Sequence, residues 1–178
     1  MSYLGIDASL NSTGLCVQSA DGEFSTRTIL PKKLRSAERL DYNIRSLSSF
    51  LDRTPVRAAA LEGYAMGIRG GRVFDIGEWG GLIRLELWRR NIPTIIVPPS
   101  TMKKYLCAGK LEKNQILLKV YKTYGVSCAT DDEADALVLS DMAKHFCKKT
   151  KLLCERQKEA LQKCSILVSL PKPIARIR

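Results

Sequence analysis

Residues 3–19 read YLGIDASLNSTGLCVQS, two apolar runs joined by a short polar turn. The runs predict β-strands over Tyr3–Ala8 and Thr13–Ser19, because apolar and β-branched residues favour strands and the Leu-Asn-Ser segment between them favours a turn. A third strand is expected over Glu23–Leu30, directly after Asp21-Gly22, since Asp-Gly is a strong β-hairpin signal. These three strands should pair antiparallel, as a meander.

The next part of the chain alternates helical and extended patterns. A helix capped by Ser36 is expected to end at Thr54-Pro55, because the leucines and isoleucine between them recur at helical spacing. Further elements are expected in this order: a strand over Val56–Gly63, a helix from about Phe74 to Arg90, a strand over Thr94–Val97, a helix over Leu111–Tyr124 and a helix that opens near Asp131. Strands that alternate with helices pair in parallel. The predicted fold is therefore α/β, with a mixed five-stranded sheet (three antiparallel strands, then two parallel) flanked by helices.

Two acidic residues lie in unusual places in this pattern. Asp7 interrupts the apolar run of the first strand, and Glu62 directly follows the apolar run of the fourth. A lone acid in an apolar run costs solvation free energy unless it is paired or bound to metal. Strands joined by a right-handed crossover are usually neighbours, so Asp7 and Glu62 can meet. The alternative is that Asp7 caps a turn and Glu62 ends an edge strand.

A second pair of acids opens the helix near Asp131. Asp132 and Asp135 are three positions apart and share one helical face, which continues as Leu139 and Met142. If that face packs on the sheet, both acids lie over Asp7 and Glu62. Asp131 and Glu133 are assigned instead to the helix dipole and the capping box, a role that first-turn acids often have.

Four carboxylates around one pocket cannot all stay ionised without cations, and hard oxygen ligands favour Mg²⁺, for which Mn²⁺ can substitute. The reaction best served by such a site is phosphodiester hydrolysis. Two ions about 3.5–4 Å apart can activate a water molecule and stabilise the leaving 3′-oxygen.

Charge and cysteine content narrow the class of protein. The net charge is +11, of which residues 142–178 contribute +8, and this asymmetry favours a nucleic-acid partner over a merely solvated basic surface. Six cysteines without a C-x-x-C pair, together with one histidine, make a zinc site improbable. No signal peptide and no apolar stretch of spanning length occur, so we expect a soluble protein with reduced thiols in the cytoplasm and no membrane partner.

Three segments resemble the RuvC family of Holliday junction resolvases: residues 5–14, residues 60–62 and residues 132–137. The resemblance covers about residues 1–145. It implies an RNase H-like fold, a homodimer and magnesium-dependent paired nicking of four-way DNA junctions in the cytoplasm of a bacterial cell, or of a host cell if a phage encodes the protein. Asp7, Glu62, Asp132 and Asp135 would be the catalytic metal ligands. Residues 146–178 lie beyond the resemblance. Their apolar residues among lysines and glutamates predict a further helix and their prolines an irregular end, so this basic extension is expected to be partly helical and to lie outside the central sheet.

The resemblance also implies DNA contacts. Residues 98–115 are similar to the family's basic DNA-contacting segment, which predicts contacts by Lys103, Lys104, Lys110 and Lys113. Arg69 and Arg72 in a glycine-rich passage are expected to bind phosphates, with a solvated loop as the alternative. The family carries an aromatic residue just after its glutamate that helps to open the junction, and Tyr64 or Met66 could take that role. Tyr64 packed in a core is the competing interpretation.

Other residues and functions have simpler interpretations. Trp79 and Trp88, at helical spacing, are expected in the core, although their helix, with Leu82, could also form the dimer interface. His145 is expected to be structural or on the surface.

The alternative functions are a broader branched-DNA or general metal-dependent nuclease and a non-cleaving junction-binding module. An actin-like or sugar-kinase-like ATPase would need a second phosphate loop, which this sequence does not contain. The sequence does not identify a branch-migration partner.

Overall fold

A mixed sheet of six strands forms the centre of the molecule. The structure is a computed structural model, and it describes residues 1–64, 72–107, 113–148 and 153–168. Numbered along the chain, the strands lie side by side in the order β3-β2-β1-β4-β5-β6. The strands are β1 (Ser2–Asp7), β2 (Thr13–Gln18), β3 (Phe24–Ile29), β4 (Val56–Glu62), β5 (Thr94–Val97) and β6 (Ser165–Val168). The helices are α1 (Ser36–Asp52), α2 (Arg72–Arg89), α3 (Pro99–Leu106), α4 (Lys113–Tyr124), α5 (Asp131–Lys148) and α6 (Glu155–Gln162).

The predicted pairing of the first five strands is confirmed. β1 pairs antiparallel with β2, and β2 pairs antiparallel with β3, so the meander forms as expected. β1 pairs in parallel with β4, and β4 in parallel with β5. Gly22, in the turn between β2 and β3, has φ of +101°, a conformation that glycine adopts without steric cost.

The sheet has one strand more than the five predicted, because β6 pairs antiparallel with β5. The expectation that the basic extension lies outside the central sheet is therefore wrong for residues 165–168. Without β6, the outer edge of β5 would present unpaired backbone N–H and C=O groups. The preceding helix, α6, packs against α3. Arg156 of α6 donates a hydrogen bond of 2.8 Å to the Lys104 carbonyl oxygen.

Two smaller differences concern helix starts. Ser36 is the first residue of α1 and Arg35 is its N-cap, so Ser36 does not cap the helix. Residues 99–106 form α3, which the sequence analysis did not predict because Pro98-Pro99 indicated only the end of a strand. Proline at the first position of a helix is nevertheless favourable, since the backbone N–H that it lacks would have no helical partner.

The alternation of side chains along β1 and β4 divides the core between the two faces of the sheet. Leu4, Ile6, Ala59 and Leu61 pack with α1 and α2, whereas Tyr3 packs with α5 on the opposite face. Successive strand residues point to opposite faces, so odd positions of β1 and even positions of β4 face α5. Asp7 and Glu62 have that parity.

The two tryptophans of α2 have different environments. Trp79 is fully buried, as predicted, and its Nε1–H donates a hydrogen bond of 3.0 Å to Thr13 Oγ1. Trp88 is 49 % exposed, so its predicted place in the core is wrong. Helical spacing does not show how wide the buried face of α2 is, and Trp88 lies on the solvent side with Leu85.

No helix in the four described ranges has both the length and the apolar character needed to cross a membrane.

Candidate active site

Asp7 and Glu62 lie side by side at the carboxyl ends of two neighbouring parallel strands. The register pairs Ile6 with Leu61, so the next residue of each strand is an acid, and both acids face α5. Their carboxyl groups are hydrogen-bonded to each other. Two carboxylates can share a hydrogen bond only through a proton. Burial, and then the neighbouring Glu62, raise the pKa of Asp7 well above its usual value.

Two glycines allow α5 to lie directly on the sheet above these acids. A β-carbon at Gly5 would overlap the Ala136 carbonyl oxygen, and one at Gly14 would overlap the Asp132 backbone. Gly14 is the partner of Asp7 in the pairing of β1 with β2. The first turn of α5 is therefore fixed over the end of β1, which brings Asp132 close to Asp7.

Asp135 completes the cluster one helical turn further along α5. Its Oδ1 atom is buried and has no hydrogen-bond partner among the described residues. Burial raises the pKa of Asp135 to about 7, helped by the negative charge of Glu62 and opposed by Lys103. Burial also raises the pKa of Glu62, against the opposing effects of its hydrogen bond to Asp7 and of Lys103. The structure thus brings together all four acids that the sequence analysis singled out.

The donor set of this cluster fits a hard divalent cation, although the site is not fully formed. As they are arranged here, no three Asp, Glu, His or Cys side chains of the described residues enclose a metal position. Carboxylate oxygens are nevertheless the ligands that such cations prefer, and the buried Asp135 Oδ1 lacks any partner. In this arrangement the negative charge of Glu62 raises the pKa of Asp7, and a bound cation would reduce the repulsion between the two carboxylates.

Lys103 of α3 acts on the acids electrostatically. It is half-buried and lowers the pKa of both Glu62 and Asp135 against the effect of burial. Lys104, the next residue, is exposed and does not have this role. Of the predicted DNA-contacting lysines with described side chains, Lys103 thus lies at the acid cluster and Lys104 on the surface of α3.

A buried polar network fixes α3 to α5, and the sequence analysis did not predict it. Asp141 accepts hydrogen bonds from the hydroxyl groups of Tyr105 (2.9 Å) and Tyr124 (3.2 Å). His145 Nδ1 lies 2.9 Å from the Tyr105 hydroxyl and 3.3 Å from an Asp141 carboxylate oxygen. Burial raises the pKa of Asp141, but the hydrogen bonds and the charge of His145 outweigh burial and lower it. His145 is therefore part of a structural network that positions the helix of Lys103.

Glu133 does more than complement the helix dipole, so its predicted role was too narrow. Its carboxylate accepts hydrogen bonds from Thr28 (2.8 Å) and Thr26 (3.3 Å) of β3, and from the Ala129 N–H (3.0 Å). Its own N–H donates to Thr130 Oγ1. Glu133 thereby fastens the first turn of α5, which carries Asp132, to β3. No short-range sequence signal could have identified partners more than a hundred positions away.

Tyr64 lies just beyond Glu62, with 42 % of its surface exposed, so it is not a core residue. Its hydroxyl donates a hydrogen bond of 3.2 Å to the Gly77 carbonyl oxygen, and the Arg84 guanidinium lies 4.5 Å from its ring centre. Met66, Arg69 and Lys110 lie outside the described residues. The side chains of Arg72 and Lys113, at the first positions of α2 and α4, are outside the described part of the structure as well.

Comparison with known proteins identifies the family. A family model for the crossover junction endodeoxyribonuclease RuvC matches residues 3–141. The fold is similar to RuvC of Thermus thermophilus in complex with a Holliday junction substrate, with 19% sequence identity and a TM-score of 0.71 over 84% of this chain and 96% of that one. Another structure of Thermus thermophilus RuvC gives 20% identity and a TM-score of 0.68 over the same shares of the two chains.

A comparison with curated protein sequences returns no match. The structural likeness, at this identity, establishes the RNase H-like fold that the resemblance implied. The family model covers most of the chain, including all four acids of the site. The chain therefore belongs to the RuvC family of crossover junction endodeoxyribonucleases.

Proposed function

We propose that this protein resolves four-way DNA junctions by hydrolysing one phosphodiester bond in each of two strands. The observation that carries the proposal is the convergence of Asp7, Glu62, Asp132 and Asp135 at one end of the sheet, where Asp135 retains a buried oxygen without a partner. Such a site suits a nuclease that binds cations, and membership of a family of metal-dependent junction endonucleases gives the substrate class.

In this proposal the four carboxylates hold divalent cations, Mg²⁺ in the first place and Mn²⁺ as a substitute. Bound there, the cations supply an activated water molecule and stabilise the leaving 3′-oxygen. The chain itself supplies the geometry. Gly5 and Gly14 let α5 approach, and Glu133 holds its first turn. Asp7, whose pKa is raised by burial and by Glu62, has to be ionised for both strand acids to bind as carboxylates.

The DNA is held mainly through its phosphates. Lys103 beside the acids and Lys104 on the surface of α3 would contact the backbone of the cleaved strand, together with Lys110, Lys113, Arg69 and Arg72. Phosphate contacts carry little base information, so selectivity would come from the branched shape of the DNA. Tyr64 would contact the opened base pairs near the crossover.

Two symmetric cuts require two active sites related by a twofold axis, so we propose a homodimer. Helix α2 presents an exposed apolar stripe that suits an isologous interface, and it contains Phe74, Leu85 and Trp88. Trp79, which the sequence analysis also considered for the interface, is fully buried and so cannot be part of it.

We further propose that residues 1–145 form the nuclease domain and residues 146–178 a basic extension that packs through α6 and β6. A cytoplasmic setting is proposed as well. It agrees with a DNA substrate and with six cysteines that are all free thiols.

The test is a cleavage assay with an end-labelled synthetic four-way junction, with linear duplex of the same sequence as the control. With Mg²⁺ we expect paired cuts in two opposing strands of the junction, little cutting of the duplex, and no cutting in EDTA. Equal cutting of junction and duplex would identify a general metal-dependent nuclease. Tight junction binding without cutting in Mg²⁺ or Mn²⁺ would identify a binding module.

A further inference from the structure

We propose that Arg84 of α2 is a phosphate-binding residue, which together with Tyr64 forms a site for a backbone phosphate of the DNA beside Glu62. The proposal rests on the proposed junction-cleaving function and adds a DNA contact that neither the sequence analysis nor the family match assigns. Arg84 lies in the middle of α2, outside the basic segment that follows β5.

A small cavity of about 100 Å³ separates Arg84 from the acid cluster. Its lining includes Ala8 and Glu62 on the strand side, and Tyr64, Gly80 and Arg84 on the helix side. A polar cavity of this size admits several water molecules or a group as small as a phosphate. Sites for larger organic ligands usually exceed about 300 Å³.

The side chain of Arg84 has hydrogen-bonding capacity that this chain does not use. Its Nε atom is buried without a hydrogen-bond partner, and no carboxylate among the described residues forms an ion pair with it. Arg90, just past the end of the same helix, is different because it forms ion pairs of 2.7 Å with both Glu86 and Asp52. Arg84 as a whole is half-buried, but a buried N–H without a partner is costly, so the environment of Arg84 favours an anion from outside the chain.

Tyr64 holds the Arg84 guanidinium in place without neutralising it. The guanidinium carbon lies 4.5 Å from the ring centre, a cation–π arrangement that leaves the N–H groups at the guanidinium edge free to donate. The ring is itself fixed at its far end by the hydrogen bond from its hydroxyl to the Gly77 carbonyl oxygen. An arginine held in this way can offer two parallel N–H groups to a phosphate.

Gly80 makes this arrangement sterically feasible. A β-carbon at Gly80 would lie 2.7 Å from the Tyr64 hydroxyl oxygen and 2.8 Å from a ring carbon. By contrast, a β-carbon at Gly77 or Gly81 of the same helix would meet nothing within 4 Å. The absence of a side chain at position 80 is thus what allows the ring to lie against α2 and under Arg84.

The charge around the cavity indicates which kind of anion binds beside Arg84. Glu62 is among the residues that line this cavity, so a free anion would be repelled there unless other contacts held it. A DNA strand already bound at the acids brings its phosphates in a connected row. We therefore assign the Arg84 site to a phosphate that flanks the scissile one, rather than to free phosphate.

The experiment measures junction binding in EDTA, so the readout does not depend on metal-activated cleavage. Loss of one phosphate contact lowers the slope of log affinity against log salt by about 0.9. We expect Arg84→Met to show this decrease in slope and to lose affinity for the junction by about 10-fold at moderate salt. Arg84→Lys should have a slope and an affinity between those of the wild-type protein and Arg84→Met, because lysine keeps the charge but cannot bind a phosphate bidentately. The matched control is Arg57→Met, which removes an exposed arginine at the opposite end of β4 and should leave slope and affinity unchanged.

A second arm locates the phosphate. Once the cut positions are mapped, junctions that carry a single neutral methylphosphonate at each flanking position are compared. One of them should weaken binding by the wild-type protein and have no further effect on Arg84→Met, because the contact has already been removed. Gly80→Ala, which displaces Tyr64, should behave like Arg84→Met and provides a variant that keeps the arginine.

Slopes and affinities of Arg84→Met equal to those of Arg57→Met would overturn the assignment. It would also be overturned if millimolar inorganic phosphate displaced the junction from the wild-type protein but not from Arg84→Met, since the site would then bind the free anion. Failure of the proposed function is distinguishable, because the wild-type protein itself would then neither prefer nor cut the junction.

Discussion

Gly14 lies directly beneath Asp132, so close that no side chain fits between the second strand and the helix that carries this acid. Gly14 is also the strand partner of Asp7. One missing β-carbon therefore sets the separation between a strand acid and a helix acid, which makes the geometry of the site sensitive to a single methyl group.

Gly14→Ala should consequently lower both stability and activity. The added β-carbon has to push away the backbone of α5, and overpacking of this kind typically costs about 1–3 kcal/mol. Cleavage should fall more than junction binding, because Asp132 is displaced while the phosphate contacts remain. Urea unfolding and junction cleavage check this. Gly77→Ala is the control, since a β-carbon there meets only open space.

Neutral isosteres at the acids should separate binding from cleavage. Asp7→Asn, Glu62→Gln and Asp135→Asn keep the side-chain shape but weaken cation binding, so cleavage should fall at least about 1,000-fold while junction binding is retained. Single-turnover cleavage and a gel-shift assay measure the two effects. Asp41→Asn, on the exposed surface of α1, is the matched control. Normal nicking by Asp7→Asn at millimolar magnesium would contradict the assignment of the metal ligands.

The metal-free protein should become less stable as the pH rises from about 4 to about 7. Burial raises the pKa of Asp135 to about 7, so over this range the folded state binds more protons than the unfolded state. This group alone accounts for up to about 4 kcal/mol, at about 1.36 kcal/mol per pKa unit. Urea unfolding in EDTA at pH 5 and pH 8 measures the difference.

Magnesium should reverse this loss of stability at pH 8, because cations then take the place of the protons. Asp135→Asn should flatten the pH dependence, whereas Asp75→Asn, half-exposed on α2, should leave it unchanged. Equal free energies of unfolding of the wild-type protein at the two pH values would show that the pKa of Asp135 is not raised in the folded state.

Two truncations should separate the contribution of the basic extension's charge to DNA binding from the contribution of its packing to stability. Removal of residues 169–178 takes away Lys172, Arg176 and Arg178, so the salt dependence of junction binding should become less steep while every described element is kept. Removal of residues 153–178 also deletes β6 and the buried Ala160, which should lower the free energy of unfolding because the edge of β5 and the α3 surface that packs against α6 become exposed. An unchanged salt slope in the shorter deletion would show that these charges are only solvated surface.

The dimer should depend on the exposed stripe of α2. Leu85→Glu and Trp88→Glu place a charge in the proposed interface, and each should give a monomeric mass in light scattering and loss of paired cuts. The control is Leu118→Glu, since Leu118 is a leucine on α4 whose side chain is even more exposed than Leu85 and Trp88. A monomeric wild-type protein, both free and bound to junction DNA, would reject the homodimer.

The sequence predicted most of the sheet because its signals were local. The Asp-Gly turn, the β-branched runs and the apolar periodicity of α1 each act within a few residues, and the five predicted strands end within one residue of the observed ones. The four acids were found because Asp7 and Glu62 stand in or directly after apolar strand runs, whereas Asp132 and Asp135 begin an otherwise apolar helical face. Residues 165–168 were missed as a strand because their pairing with β5 depends on a contact across some seventy residues.

The supporting contacts of the site could not be predicted for the same reason. Nothing near Asp141 in the sequence indicates that Tyr105 and Tyr124 donate to it, and nothing near Glu133 indicates its threonine partners on β3. Nor does helical spacing show that Trp88 faces solvent. Each of these contacts depends on how separate elements meet, which sequence periodicity does not report.

The residues of β6 are synthesised after all the residues of the acid site, which matters for folding on the ribosome. β5 lies next to β4 in the sheet, and among the described residues its other edge pairs with residues 165–168. A nascent chain that has already built the nuclease site therefore exposes an unpaired strand edge until those residues have emerged. Exposed edges are sites where chains pair with one another, so ribosome stalling shortly before residue 165 should produce fragments that aggregate.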